Sequence, residues 1–154
     1  PLKIAAEIND QKEIVSLLMT AGAVDKSGRT ALMFAVQNDD YITVKRLLTE
    51  GVDVNVKDKN GNTSLMYAAS SDKTDIAKIL LAVGADVNAI NKRRSTALII
   101  AAWNGRVDMV EALINAGADV SVKNKGGNTP LKIAAEINDQ KEIVSLLVEA
   151  GAVK

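Results

Sequence analysis

Residues 96–122 read TALIIAAWNGRVDMVEALINAGADVSV. This stretch decides the fold, because each of its punctuation marks recurs at one fixed distance. Thr96-Ala97-Leu98 stands 33 residues after Thr63-Ser64-Leu65, which stands 33 after Thr30-Ala31-Leu32; Thr129-Pro130-Leu131 follows at the same interval. Gly51, Gly84 and Gly117 keep that spacing and precede VDVN, ADVN and ADVS, while Gly61, Arg94 and Gly127 form a third ladder. Such a period marks an array of stacked supersecondary units.

One unit can be read physically. The Thr hydroxyl can accept hydrogen bonds from the first free N–H groups of a helix. That helix carries a small pair (Ala68-Ala69, Ala101-Ala102, Ala134-Ala135) that lets neighbouring helices approach closely. After a polar break such as Trp103-Asn104-Gly105, a second helix places Val107, Val110, Leu113 and Ile114 at helical spacing. Gly at 51, 84, 117 and 151 ends it where a left-handed residue is wanted. An extended Asp-Val-Asn and a polar turn, KDKNGN at 57–62, then read as a hairpin tip. One such unit cannot bury its apolar face alone, so neighbours must stack.

The pattern resembles the ankyrin repeat over essentially the whole chain, whose signature runs G-x-T-P-L-H-x-A-A…L-L-x-x-G-A-D-V-N. The resemblance implies an all-α-dominated repeat solenoid of four to five helix–turn–helix units with β-hairpin fingers. It implies one domain over 1–154: a helix pair at 1–24 as the N-terminal cap, full repeats at 25–57, 58–90 and 91–123, and a last one at 124–154. Three departures stand out. The family's His is Met33, Met66, Ile99 and Lys132 here, the turn Gly is Arg94 in one repeat, and AAEINDQKEIV holds one residue more than AAWNGRVDMV.

Composition excludes several activities. Nineteen basic and nineteen acidic side chains cancel, which argues against nucleic-acid or membrane binding through bulk charge. The sequence has no Cys and no His, so it lacks thiolate chemistry and the commonest general base and metal ligand. No run approaches the ~20 apolar residues of a membrane span, and no signal-peptide pattern opens the sequence. A soluble cytoplasmic or otherwise intracellular protein is expected. No convergent nucleophile, base and oxyanion donor are found, so no enzyme, cofactor or metal is expected. Asp39-Asp40 reads as a solvated turn, and KNKGGNT at 123–129 lacks the G-K-[ST] spacing of a phosphate loop.

Binding is the better expectation. The resemblance implies a concave surface made of finger tips and the exposed side of each first helix. Carried over by position, the tips offer Lys59, Asn62, Lys92, Arg93, Arg94, Ser95 and Lys125, and the helices offer Gln37, Asn38, Ser70, Ser71, Trp103 and Asn104. Trp103 is the only Trp, in a register that elsewhere holds Gln37, Ser70 and Glu136. An aromatic in a polar row reads either as an anchor for a partner or as a lid over Ala-rich surface. Phe34 and Tyr67, in register with Ile100, read as packing. The basic tips read either as solvated turns with no dedicated ligand or as an edge that steers an acidic protein partner. Arg94 is expected to strain the backbone if its turn is left-handed.

The ends carry a second clue. Residues 1–24 and 130–153 differ only at Met19-Thr20 against Val148-Glu149, which suggests recent duplication or deliberate engineering. One helix pair at both ends implies a capping role and a tendency to head-to-tail self-association. The link from Gly22 to Gly28 is shorter than that from Gly51 to Gly61, so the first junction is expected to lack a full finger.

Overall fold

A computed structural model describes residues 24–136 and 140–153. The expected helix pair at 1–24 therefore lies, but for Val24, outside the described residues. The elements are α1 (Ala31–Gln37), α2 (Tyr41–Thr49), α3 (Ser64–Ser70), α4 (Thr74–Ala82), α5 (Ala97–Trp103), α6 (Val107–Asn115), α7 (Pro130–Glu136) and α8 (Lys141–Glu149). The first helices of the pairs start 33 residues apart; α8 starts 34 after α6, which is where the longer break was expected.

Local chemistry sets these boundaries. Thr30, Thr63, Thr96 and Thr129 each accept, through Oγ1, the N–H three residues on, at 3.3, 3.4, 3.2 and 3.1 Å. Such a cap satisfies a donor that the helix leaves free. Asp40 caps α2 by accepting from the Thr43 N–H at 3.0 Å, whereas α4, α6 and α8 begin without a side-chain cap. At the other end, Gly51, Gly84, Gly117 and Gly151 all have positive φ and stop the second helices.

Stacking supplies the core. Helices α1, α3, α5 and α7 form an inner row, each packed on the next, and α4, α6 and α8 pack likewise in an outer row. Leu32, Leu65, Leu98 and Leu131 run along the inner row, and Leu47, Leu80, Leu113 and Leu147 along the outer row, all buried. Each contributes roughly 1.5–3 kcal/mol of burial. Ala68, Ala69, Ala101 and Ala102 are fully buried and bring the inner helices together. In the last described pair, Ala135 is exposed where Ala69 and Ala102 are buried, and Lys132 is exposed in the register of buried Met33, Met66 and Ile99.

The fingers follow the expected path but are tight turns rather than paired strands; among the described residues no segment is β. Each tip is closed by a backbone bond, Asp58 N–H to the Asn62 carbonyl at 2.9 Å in the second finger. A side chain reinforces it: Oδ1 of Asp25, Asp58, Asn91 and Asn124 accepts the N–H groups two and four residues on. This Asx-type turn mimics a backbone turn. Neighbouring tips are joined by one backbone bond per junction, from Lys59, Lys92 and Lys125 N–H to the Ser27, Asn60 and Arg93 carbonyls, each 2.9 Å. A single bond does not make a strand ladder. The tip at 25–29 has the same closure as the others, and the arm before Val24 lies outside the described residues.

Candidate functional site

The inner helices and the fingers above them enclose a groove of about 650 Å³ across the second, third and fourth fingers. Its floor is Met66, Tyr67, Ile99, Ile100 and Trp103; its finger wall is Asn60, Asn62, Asn91, Lys92, Arg93, Asn124, Lys125 and Gly126, with Ser70, Ser95 and Asn104 at its margins.

Trp103 ends α5 with 60% of its surface exposed. The α5 helix beneath it is fixed by four buried neighbours, Leu98, Ile99, Ala101 and Ala102. Asn104 caps the C-terminus of that helix and donates from Nδ2 to the Ile100 carbonyl at 2.9 Å. A rigid helix end thus presents one uncovered indole. Tyr67 and Ile100 are half-buried and pack on the core, as expected, yet both also face the groove. Phe34 lies under the Arg29 guanidinium at 4.2 Å from its ring centre.

Below the second finger, Asp58 is buried at 6% exposure. Its Oδ1 holds the Asn60 and Asn62 N–H groups at 2.8 Å, and its Oδ2 accepts the Tyr67 phenol at 2.7 Å and Asn62 Nδ2 at 3.4 Å. Burial, and then the bond to Asp58, push the Tyr67 phenol up to about 12. The group is a structural clamp with its acceptors occupied.

Of the residues expected in a site, Asn62, Ser70, Lys92, Arg93, Ser95, Trp103, Asn104 and Lys125 come together around this groove. Ser95 is buried at the foot of its finger. Asn62 bridges fingers by accepting Asn91 Nδ2 at 2.9 Å. Lys59, Ser71 and Arg94 lie outside the groove, as do Gln37 and Asn38 of α1. Gln37 accepts from Arg29 Nη1 at 3.3 Å, and Asn38 and Ser71 cap the ends of α1 and α3. Arg94 has φ +56, the left-handed conformation taken by Gly28, Gly61 and Gly127 in register with it. Asn91, Asn124 and Gly126 were not expected in the site; Asn91 and Asn124 stand in register with Asp25 and Asp58, and Gly126 with Asn60 and Arg93.

The Asp39-Asp40 pair has two structural jobs. Asp39 pairs with Lys73 at 2.9 Å. Hydrogen bonds from the Thr43 hydroxyl and N–H hold the Asp40 carboxyl below its usual value. Among the described residues, no three His, Cys, Asp or Glu side chains gather into a metal site, and no helix is long and apolar enough to cross a membrane.

A stacked helix pair with capping Thr, stopping Gly and a turned finger, repeated every 33 residues, is the unit described by the family model Ankyrin repeats (3 copies), which matches residues 2–91, 32–124 and 83–154. The chain belongs to the ankyrin-repeat family. No curated protein matches it in sequence. Ankyrin repeats are generic protein–protein interaction modules and typically non-enzymatic. The departures from the ankyrin signature are accommodated: Met33, Met66 and Ile99 are buried where the family has His, and the Thr caps form without it.

Proposed function

We propose that the chain is a non-enzymatic interaction module that takes a protein partner in the groove between its finger tips and inner helices, with Trp103 as the anchor. The observation that carries this reading is the indole, 60% exposed at the end of a helix whose Ala97, Leu98, Ile99, Ala101 and Ala102 are buried. An indole has only two side-chain torsions to fix on a helix already anchored, so it loses little conformational freedom on association, and truncating such anchors often costs ~2 kcal/mol or more. The reading takes the chain as one intracellular solenoid, with repeats dividing at 25, 58, 91 and 124 and with 1–24 as its N-terminal cap.

The test is affinity capture on immobilised chain, with Trp103→Ala and Lys92→Ala/Arg93→Ala as parallel surfaces and Asp108→Ala on the exposed outer row as control. Partners retained by the wild type and the Asp108 variant, and lost from both groove variants, support the reading. Equal retention on all surfaces refutes it.

A second reading, a self-associating scaffold, is favoured by apolar exposure on the last helix pair. Ala135 is uncovered there and Val148 is 47% exposed. Copies would then add head to tail across that face. Sedimentation showing only monomer at high concentration eliminates it.

A further inference from the structure

We infer that the segment received in the groove is an acidic peptide stretch in which carboxylates flank one large apolar side chain. The inference rests on the groove being the binding surface and adds the chemistry of what enters it.

The first observation is where the ion pairs fall. The described residues form five: Arg29–Asp25, Arg46–Glu50, Lys73–Asp39, Arg106–Asp72 and Lys132–Glu136. None uses Lys92, Arg93 or Lys125, the three cations of the groove, and the groove lining contains no Asp or Glu. The chain as a whole is neutral, with 19 charges of each sign, so acids were available and lie elsewhere.

The second observation is how the finger turns are built. Four side chains do the same job at 25, 58, 91 and 124, each accepting two backbone N–H groups through Oδ1. In the first two fingers the acceptor is an aspartate, and in the last two an asparagine. Either side chain makes the turn. The third and fourth fingers thus keep the geometry and drop the negative charge, and they are the fingers that carry Lys92, Arg93 and Lys125. The one carboxylate beneath the groove, Asp58, is 6% exposed and bonded to its own turn and to Tyr67. A positive wall without counter-charge is complementary to carboxylates, which would speed association and exclude basic competitors.

The third observation is the floor. Carboxylates alone would find their contacts on the fingers and leave the indole of Trp103 idle beside Tyr67 and Ile100. One apolar side chain between flanking acids uses both surfaces. A nucleic acid fits less well, because a single exposed indole is no row of stacking platforms.

The experiment selects peptides from an unbiased random display library on the immobilised chain, then measures synthetic copies against the wild type and each variant by isothermal titration calorimetry. The expected peptides carry Asp or Glu around one aromatic or long aliphatic residue. Their Kd should rise about tenfold in Lys92→Gln/Arg93→Gln/Lys125→Gln, and should rise between about 50 and about 500 mM NaCl. Asn124→Asp, which restores a carboxylate while keeping the turn as Asp25 and Asp58 do, should raise it several-fold with an unchanged urea midpoint. Neutral or basic peptides that still depend on Trp103 overturn the inference and leave the groove reading standing. Acidic peptides indifferent to Trp103→Ala and to the three glutamines overturn the groove reading itself. A library that yields no binder, a single-stranded oligonucleotide that outcompetes the peptides, or a salt-sensitive dimer through the groove each overturn the acidic-peptide assignment.

Discussion

The phenol of Tyr67 donates a 2.7 Å hydrogen bond to Oδ2 of Asp58 and so ties the second finger to the helix that follows it. Tyr67→Phe removes that bond and should cost about 1 kcal/mol. The pH dependence has a definite sign. The phenol's ordinary value of 10.0 is raised to about 12 in the folded chain, first by burial and then by Asp58. Ionisation therefore opposes folding: the contribution is complete below about pH 10 and is lost as the pH rises toward about 12. Urea titrations across that window should show a steeper alkaline loss in the wild type than in Tyr67→Phe.

Asp58 and Asn91 serve the same turn, which makes substitutions at 58 informative. Asp58→Asn should retain the two backbone bonds and lose only the bond from the Tyr67 phenol, about 1 kcal/mol, because Nδ2 cannot accept it. Asp58→Ala strands two N–H groups beneath a finger and should cost about 2 kcal/mol or more, given the ~1–3 kcal/mol penalty for each unsatisfied buried group. A urea midpoint that falls equally for both variants would contradict this account.

Arg94 adopts a left-handed backbone at φ +56, in register with Gly28 and Gly61. At those glycines an added Cβ would come within 3.0 Å of the next finger, at Lys59 N and Asn91 Cα respectively. Arg94→Gly relieves the left-handed backbone and should stabilise the chain by ~1 kcal/mol, within the 1–3 kcal/mol such strain stores. Thermal unfolding reports it as a raised Tm.

Ile42, on the first turn of α2, is 81% exposed, where α4, α6 and α8 carry Asp75, Asp108 and Glu142. An acid there faces the positive end of the helix dipole. Ile42→Asp should add about 0.3–1 kcal/mol at low salt and less at high salt.

Trp103→Ala should separate binding from folding. With 60% of the side chain exposed, its loss should shift stability by less than about 0.5 kcal/mol. Calorimetry against a captured partner should show a loss of about 2 kcal/mol or more in affinity.

The helices were legible because each boundary has its own local chemistry: Thr30, Thr63, Thr96 and Thr129 cap without help from distant residues, and glycines end the second helices. Trp103 was legible because its register is polar elsewhere. What could not be read is which fingers share the groove with it. That depends on how successive tips lean together through backbone bonds, which leave no mark on side-chain identity; hence Lys59 and Arg94 fall outside and Asn91 and Asn124 fall inside. The Asx turns hid behind a mixture of Asp and Asn, which charge-based reading separates and hydrogen bonding unites. Asp39 and Asp72 were a further miss: both have positive φ, in register with Gly105, and they pair with Lys73 and Arg106 of the following helix pair.

The bonds between neighbouring tips run from main chain to main chain, at Lys59, Lys92 and Lys125. Side chains add the Asn91 Nδ2 bond to Asn62 Oδ1 and the Lys57 Nζ bond to the Ile90 carbonyl, but those at 59, 60, 92, 93 and 125 take no part in holding one finger to the next. The lettering of the groove is thereby independent of the page it is printed on. Positions such as 59, 60, 92, 93 and 125 can be rewritten for a new partner while the spacing of the lines stays as it is, so lineages of this architecture can change what they recognise without first relearning how to fold.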